Sequence, residues 1–408
     1  MGLFIKLAWR NLFRNKRRTL LASLAIGIGL ASLIFTDALM IGMEDNMVRA
    51  ATASFMGEGQ IHRQGYMETR EVEDTINRLD TVVTMLQQEP VVSHYTLRTM
   101  TLGMITSPAN VTSINIVGIN PATERYLSQI DDVMMEGEYF AGDNPRDIVI
   151  GQKLADILKV GIGDRIVLTV AEAYSGDISQ DMFRVSGIYK FGIREMDGGM
   201  AFIRIRKAQE LLALNNGVHE IAIDFIDSKY GRDMSLPFWQ KFSQFGNVAQ
   251  GWIKIQPELA AYLGLSRFTT YIVGLILFGV VALGIINTLF MSLHERMFEF
   301  GVLRAVGTRP FAMARLIIFE AAALSVISIG VGIILGFLIT YITTLTGIDY
   351  TGLEFLGVTI RELLYPVMRV RQFIEYPILV FLFTTIIGIY PAWHAARMLP
   401  AEAMRRSF

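Results

Sequence analysis

Two glutamates one helical turn apart mark the stretch with the clearest chemical character, Ser292–Gly307 (SLHERMFEFGVLRAVG). On a helix, Glu295 and Glu299 would repel each other, and a cation from outside the helix would relieve the repulsion. The apolar residues of the stretch are spread around the helix, which predicts contacts on more than one face. Two interpretations stay open from the pattern alone. The helix lies either between a membrane bundle and a soluble partner, or merely on the lipid.

Two further acids lie in apolar segments, where ionisable side chains are costly and usually functional. Asp37 falls near the far end of the first apolar run, where water could solvate it. Glu320 lies near the start of the third run, and the sequence offers Arg315 or the basic N-terminal tail as its partner.

Small residues recur at every fourth position in two of the apolar runs. The first run has Ser23, Gly27 and Ala31, and the third has Gly332 and Gly336. This spacing lets two helices approach closely, so these residues are candidate packing faces. The alternative is that glycine and alanine are simply common in membrane spans.

The sequence contains none of the common motifs for nucleotide or hydrolytic chemistry. It has no G-x-x-x-x-G-K-[ST] phosphate loop, no H-E-x-x-H motif and no G-x-S-x-G turn. It has no cysteine, and its five histidines show no metal-ligand spacing. His62, His94 and His219 lie on or beside predicted strands, where surface or hydrogen-bonded histidines are expected. We therefore expect a non-catalytic chain that binds no cofactor, metal or nucleic acid directly and cannot hydrolyse ATP unaided.

Membrane spans are the elements that must position these residues. Of the 408 residues, 52% are hydrophobic and only 18% are charged, which favours a membrane protein. Four apolar runs reach the length of about 20 residues that crosses a bilayer core. A signal peptide is the competing interpretation of the first run, but the run is too long and no convincing cleavage site follows.

The distribution of basic residues predicts the orientation. The first 19 residues hold six basic and no acidic residues, and the 294–315 loop holds four basic and two acidic residues. The 346–375 loop, on the other side, holds three basic and four acidic residues. Because basic loops stay in the cytoplasm, both termini are predicted there. The 44–270 segment, with 29 acidic and 21 basic residues, is predicted outside.

The outer segment alternates β-rich runs with amphipathic stretches and is long enough to bury one or two cores. The predicted fold class is a membrane α-helical protein with four transmembrane helices and a large α+β extracytoplasmic domain inserted between helices 1 and 2. The predicted strands are Gln60–His62, Ser93–Thr106, Val111–Ile119, Phe183–Tyr189, Gly199–Arg204 and Glu220–Phe225. A strand, helix, turn and strand are predicted over Asp147–Val170, and helices over Val72–Gln88, Lys207–Leu214 and Ser235–Gly246.

The predicted organisation has nine segments. They are a cytoplasmic amphipathic helix (1–19), transmembrane helix 1 (20–43), the periplasmic α+β domain with stalk helices (44–270), transmembrane helix 2 (271–293), a coupling helix and loop (294–316), transmembrane helix 3 (317–345), a periplasmic loop (346–372), transmembrane helix 4 (373–393) and a cytoplasmic tail (394–408).

Seven motifs in order resemble the FtsX/MacB-like family of ABC transporter permeases, closest to the LolC/LolE lipoprotein-releasing type. They are KLAWRNLFRNKRRTLL (Lys6–Leu21), GQIHRQGY (Gly59–Tyr66), VGINP (Val117–Pro121), IVIGQKLADILKVGIGDRIVL (Ile148–Leu168) with FRVSGIY (Phe183–Tyr189), ERMFEFGVLRAVGTRP (Glu295–Pro310) and YPAWHAARMLPAEAMRR (Tyr390–Arg406). The resemblance implies a MacB-like periplasmic core domain.

The resemblance also implies partners. It implies a bacterial inner-membrane protein working with two copies of a separate ABC ATPase, which binds ATP and Mg²⁺, and with a second permease, identical or related. ATP-driven closure on the cytoplasmic side would move the periplasmic domains by mechanotransmission and extract a lipoprotein or other lipidated substrate. Span one, with Ser23, Gly27 and Ala31, would line the lipid-facing cavity. The coupling residues would be Glu295, Arg296, Glu299, Phe300, Arg304 and Gly307, with the two glutamates facing basic residues of an ATPase groove.

One segment departs from the family pattern. The lipoprotein-releasing permease carries a hairpin hook that recruits a periplasmic chaperone, and the equivalent piece here, Ala171–Met182 (AEAYSGDISQDM), is short, acidic and free of proline. Chaperone docking is therefore left open. A second hypothesis also stays open: an FtsX-like signal transducer that activates a periplasmic effector such as a cell-wall hydrolase.

Overall fold

The computed structural model describes residues 2–140, 142–350, 354–355, 358–359 and 363–397, with only the backbone described at 2–5, 267, 354–355 and 358–359. The chain divides into two compact units. The helical unit comprises residues up to Asp45, Leu263–Asp349 and residues from Leu363 onward, and the sheet unit comprises Asn46–Tyr262 and Tyr350–Glu362.

Four of the described helices are long and apolar enough to cross a membrane, as the hydropathy pattern predicts: Lys16–Met56, Pro257–Glu295, Pro310–Thr346 and Gln372–Arg397. At about 1.5 Å per residue, the 39 residues of the second of these extend well beyond a bilayer core of about 30 Å. The stalk predicted before the second span is thus part of one continuous helix.

These spans and the short helices next to them are α1 (Gly2–Arg14), α2 (Lys16–Ala51, continued by the π-helical turn Thr52–Met56), α11 (Pro257–Glu295), α12 (Met297–Ala305), α13 (Pro310–Thr346), α14 (Gln372–Ile387) and α15 (Ile389–Arg397).

The first span packs closely against the third. A Cβ atom added to Gly27 would lie 2.9 Å from Val331 Cγ1 and 3.1 Å from the carbonyl oxygen of Ser328. Ser23 and Ala31, one turn to either side, are buried as well. The predicted small-residue face of α2 is therefore covered by α13 within the same chain.

The sheet unit is built on one ten-stranded sheet. Its strands are β1 (Gly59–Arg63), β2 (Val92–Thr106), β3 (Val111–Ile119), β4 (Met134–Gly137), β5 (Asp147–Gly151), β6 (Arg165–Ala171), β7 (Ile178–Tyr189), β8 (Met200–Arg204), β9 (Glu220–Phe225) and β10 (Asn247–Gly251), and a separate two-residue pair is β11 (Glu354–Phe355) and β12 (Val358–Thr359). Its helices are α3 (Tyr66–Thr69), α4 (Leu79–Gln87), α5 (Pro121–Glu124), α6 (Gln152–Leu158), α7 (Arg194–Gly199), α8 (Ile205–Leu211), α9 (Pro237–Phe242) and α10 (Trp252–Ile255).

Strand β2 branches the sheet. Its first half pairs with β9, its last residues pair with β6, and β3 follows its other edge. Because β6 also pairs with β7, six strands close a ring in the order β2, β3, β8, β5, β7 and β6. Alternate side chains of these strands fill the interior, including Ile105, Ile116, Leu168 and Phe183. Strands β9, β1 and β10 extend the sheet from β2 over a second core.

One predicted helix is wrong over its first half. Helix α4 begins only at Leu79, whereas the sequence predicted a helix from Val72. The backbone of Ile76 donates to the carbonyl of Val218 at 2.8 Å, and Arg78 has a left-handed φ of 51°. A tertiary hydrogen bond and a left-handed residue thus exclude helix before Leu79.

Candidate functional site

The stretch with the paired glutamates spans the end of α11 and the short helix α12, which we call the inter-span helix. Glu295 ends α11, Arg296 breaks the helix with φ −112° and ψ 17°, and α12 runs from Met297 to Ala305. After it, Gly307 takes a left-handed φ of 97°, a conformation that favours glycine and turns the chain toward α13. The two breaks set the inter-span helix apart from both spans.

The cations that relieve the glutamate repulsion come from the N-terminal helices. Arg14 Nη1 lies 2.5 Å from Glu299 Oε1, and Arg18 Nη1 lies 2.5 Å from Glu295 Oε2. The hydrogen bond from Arg14 holds the pKa of Glu299 below its usual range. The first pair joins α1 to the inter-span helix, and the second joins the start of α2 to the end of α11 directly before it. We call the two ion pairs the N-terminal clamp.

A second set of contacts joins the inter-span helix to α13. Arg296 Nη1 donates to Glu320 Oε1 at 2.6 Å, and Asn11 Nδ2 donates to the same oxygen at 2.6 Å. Arg296 Nε also reaches Glu299 Oε2 at 3.2 Å. Glu320 therefore pairs with Arg296 and an uncharged residue of α1, whereas the sequence suggested Arg315 or a basic residue of the tail. Arg296 was not predicted as the partner because it lies at the break before α12, 24 residues before Glu320 along the chain.

The inter-span helix buries one face and exposes another. Phe300 is only 2% exposed and lies under the Arg296 guanidinium at 5.0 Å. Phe298, Val302 and Val306, spaced four residues apart, are 51%, 40% and 83% exposed. We call these three residues the apolar stripe. A stripe of this kind on an otherwise anchored helix suits contact with another apolar surface.

Two of the sequence-predicted residues, Arg304 and Gly307, form no ion pair with the residues that the structure describes. Arg304 is half-buried, and its Nε has no hydrogen-bond partner among the described residues. Gly307 is exposed, and nothing lies within 4 Å of where its Cβ would be. The left-handed backbone conformation, and not close packing, explains why glycine occupies this position.

The remaining candidates lie apart from the inter-span helix. Asp37 Oδ2 accepts a hydrogen bond from Gln372 Nε2 of α14 at 2.8 Å, and Gln372 is buried. The interpretation of Asp37 as an acid that water alone solvates is therefore incomplete. Ser23, Gly27 and Ala31 face α13, as described above. Within the described residues, no group of three or more His, Cys, Asp or Glu side chains could hold a metal ion.

Sequence reasoning found the inter-span helix but missed its partners. Asn11, Arg14 and Arg18 are polar or basic residues of the N-terminal tail, and no local pattern singles them out from Lys6, Arg10, Lys16 and Arg17. The available signal was charge complementarity: the tail has no acid, and Glu295 and Glu299 are the acids of the 294–315 loop.

Comparison with known families accounts for most of the chain. Residues 19–229 match the MacB-like periplasmic core domain, and residues 271–400 match the FtsX-like permease C-terminal region. The first match alone covers more than half of the chain. Both confirm the predicted fold class and the resemblance seen in the motifs.

Individual relatives are distant. The lipoprotein-releasing system transmembrane protein LolC of Xylella fastidiosa is 22% identical over 67% of this chain and 66% of its own length, so the chain spans just under two thirds of that relative. LolE of Haemophilus influenzae is 20% identical over 98% of both chains. The pyoverdine export ATP-binding/permease protein PvdT of Pseudomonas fluorescens is 24% identical over 81% of this chain and 51% of its own length. Given the two family matches, the four apolar helices and the inserted sheet unit, the chain belongs to the FtsX/MacB-like family of ABC transporter permeases.

Proposed function

We propose that this chain is the non-catalytic permease subunit of an inner-membrane ABC transporter that extracts lipoproteins or another lipidated substrate from the outer leaflet. A separate ATPase, in two copies, binds ATP and Mg²⁺, and a second permease, identical or related, completes the complex. The names of the LolC and LolE relatives support the substrate class. The basic tail and the basic 294–315 loop support cytoplasmic termini and a periplasmic sheet unit.

The inter-span helix is the coupling element in this proposal, and its two unlike faces are the observation that carries it. The apolar stripe is free to enter a groove of the ATPase. On the other side, Glu299 ties the helix to α1, Arg296 at its start is paired with Glu320 of α13, and Glu295 at the end of α11 is paired with Arg18 of α2. A displacement of the inter-span helix by the ATPase is thereby passed to the first and third spans together.

The two glutamates take a different role from the one that the sequence suggests. Each already has an arginine of its own chain, and each side chain keeps 41% of its surface exposed. The two glutamates form the ion pairs of the N-terminal clamp. The exposed part of each side chain is available to basic residues of the ATPase. The apolar stripe carries no charge that would have to be desolvated. Its burial supplies the affinity for the ATPase.

Substitution of the stripe tests the proposal. We expect the Val302→Ser/Val306→Ser variant to lose most of the copurifying ATPase, roughly tenfold, since two apolar anchors would be lost. The measurement is the molar ratio of ATPase to permease, with the ATPase identified by its phosphate-loop sequence in mass spectrometry. Ile226→Ser, which changes a 70% exposed apolar residue of the sheet unit, is the matched control. An unchanged ratio in the stripe variant would refute the docking assignment.

The nature of the copurifying cargo separates transport from signalling. A lipoprotein bound to the complex supports extraction, and a cell-wall hydrolase supports the signal-transducer alternative. In the structure β6 and β7 are joined by the six residues Glu172–Asp177, with Tyr174 at the tip 72% exposed. So short a connection favours a subunit that does not itself recruit a chaperone.

A further inference from the structure

Four ionisable side chains are buried together in the sheet unit. Arg98 of β2 is 0% exposed and binds Glu124 through two hydrogen bonds, at 3.0 Å and 2.5 Å. Its third contact is Glu220 Oε1 of β9 at 2.6 Å. The other oxygen of Glu220 lies 3.6 Å from Nε2 of His62, which is also buried. We call Arg98, Glu124, Glu220 and His62 the buried quartet.

Both ring nitrogens of His62 face acceptors. Nδ1 lies 3.0 Å from the carbonyl oxygen of His219, which can only accept. Nε2 lies 2.8 Å from Gln60 Oε1. The Gln60 amide cannot be flipped, because its Nε2 donates to the carbonyl of Met56 at 2.8 Å. In this ring orientation, either neutral tautomer would set a nitrogen lone pair against an oxygen lone pair, so only a ring with both nitrogens protonated fits the two acceptors.

His219, in the same cluster, shows the opposite pattern. Its Nδ1 accepts a hydrogen bond from the backbone N–H of Met100 at 2.8 Å, and its Nε2 lies 2.7 Å from the carbonyl oxygen of Val72. One acceptor and one donor describe a neutral imidazole with the proton on Nε2. Tyr66 stacks between the two rings, 5.5 Å from His62 and 5.2 Å from His219. A ring face over a cation is a favourable contact for His62.

Charge balance gives a second, independent argument. Arg98, Glu124 and Glu220 together carry one negative charge in excess, and a buried charge without a partner is strongly unfavourable. A protonated His62 brings the buried quartet to neutrality. Burial is the largest influence on the pKa of His62 and lowers it below its ordinary value; Glu220 and the carbonyl of His219 oppose this lowering, and the cations Arg70 and Arg98 add to it. The hydrogen-bond geometry opposes the lowering too, because only a protonated ring can donate to both acceptors already in place.

We propose that His62 is an imidazolium cation at neutral pH and that it completes a neutral buried quartet which fixes the start of the sheet to the end of the first long helix. The connection is direct. The Arg98 guanidinium lies 3.8 Å from the centre of the Phe55 ring, and Gln60 bonds Met56; both are residues of the π-helical turn that continues α2. Any motion of the first span that reaches the sheet unit along the chain passes through this turn.

The contact between the buried quartet and the π-helical turn therefore weakens at high pH. The proposal requires a folded pKa of His62 above the unfolded value of about 6.5, so the stabilisation is complete below that value and is lost as the pH rises through the folded pKa. Loss of the proton leaves the quartet with an excess negative charge and His62 with two facing lone pairs. The contacts of Arg98 with Phe55 and of Gln60 with Met56 then weaken.

Nuclear magnetic resonance of the full chain in nanodiscs tests the ionisation directly. The protein is labelled with ¹⁵N only in its five histidines, and the protonation of each ring nitrogen is read from its chemical shift and one-bond coupling to hydrogen. We expect two protonated nitrogens for His62 at pH 7 and one for His219. An unprotonated nitrogen on His62 at pH 7 overturns the proposal. Signals are assigned with His62→Gln and, should that variant not fold, by elimination with His94→Gln and the other single replacements.

Charge rescue tests the quartet. At pH 7 we expect His62→Gln and Glu220→Gln each to lower Tm by about 5 °C or more, and the double variant, whose Arg98–Glu124 pair is again neutral, to recover at least half of the loss. If His62 were neutral, Glu220→Gln alone would remove the excess charge and leave Tm unchanged or higher. As a control, Glu220→Gln should not rescue His219→Gln. No measurement here needs an ATPase or substrate, so the result stands apart from the proposed transport function.

Discussion

At the scale of single residues, the acids of this chain differ in what each side chain faces. Glu299 meets an arginine, and its pKa is lowered. Glu58, just before β1, instead lies beside a second acid, Asp224. Burial is the main cause that raises the pKa of Glu58 to about 7, with Asp224 and Asp227 adding to it and the hydrogen bond from the Phe225 backbone N–H opposing it. This acid therefore titrates near neutral pH.

A pH dependence of stability follows from Glu58. Because the folded pKa of about 7 exceeds the ordinary value of 4.5, the folded state binds more protons between those values, and stability falls as the pH rises through this window. Glu58→Gln keeps an oxygen for the Phe225 N–H at 2.9 Å. We expect it to raise the free energy of unfolding at pH 8 by about 1 kcal/mol, since water screens part of this carboxyl.

Thermal melts of the full chain at pH 5 and pH 8 provide the check. The Glu58→Gln variant should gain stability over the natural sequence at pH 8 and little or none at pH 5. Glu138→Gln, a substitution of an exposed glutamate in the same unit, serves as the control. A gain of equal size at both pH values would mean that the charge of Glu58 has no part in it.

The candidate site shows how far single residues can be predicted from sequence. The spacing of Glu295 and Glu299 predicted a need for cations, and the structure supplies them. Which cations could not be predicted, because Arg14 and Arg18 are more than 270 residues away along the chain and the tail offers six basic candidates. The buried quartet gave no local signal either: Arg98 and His62 look like ordinary polar positions of strands until the tertiary pairing is known.

At the scale of elements, the inter-span helix and α1 act as one piece through the N-terminal clamp. Exposed ion pairs contribute little to stability, about 0.5 kcal/mol, so the clamp matters through the position it gives the inter-span helix. Arg14→Glu should therefore leave Tm nearly unchanged. In a complex with the ATPase, the same variant should lower substrate-stimulated ATP hydrolysis several-fold, since the introduced carboxylate would repel Glu299.

The reversed pair is the decisive variant. Arg14→Glu/Glu299→Arg restores opposite charges at the same two positions, and we expect it to recover at least half of the stimulated activity. Arg10→Glu makes the same charge change one turn earlier on an exposed residue of α1 and should have little effect. Failure of the reversed pair to recover, with Arg10→Glu equally impaired, would assign the loss to net charge and not to the clamp.

Elements with a strong local pattern were predictable, and those defined by distant partners were not. Strands β3 and β9 have the bounds that their β-rich runs predicted. Strands β4 (MMEG) and β10 (NVAQG) are short and contain glycine, so neither shows an alternating apolar run. The closed ring depends on β6 pairing with both β2 and β7, a non-local arrangement that no window of sequence encodes.

At the scale of the whole molecule, the orientation in the membrane is the prediction on which the functional proposal depends most. The chain has no cysteine, so single cysteines can be placed at will and labelled in intact cells with a maleimide that does not cross membranes. Two exposed polar residues suit this purpose: Asn15 between α1 and α2, and Ser175 in the turn between β6 and β7.

The basic tail should hold Asn15 in the cytoplasm, because moving six basic residues across the bilayer is opposed by the positive-inside rule. We therefore expect Ser175→Cys to label in cells whose outer membrane has been made permeable, and Asn15→Cys to label only after the inner membrane is disrupted. Labelling of both sites in detergent controls for reactivity. The reverse pattern would place the sheet unit in the cytoplasm, where it could not take a lipidated substrate from the outer leaflet, and the transport proposal would fail with it.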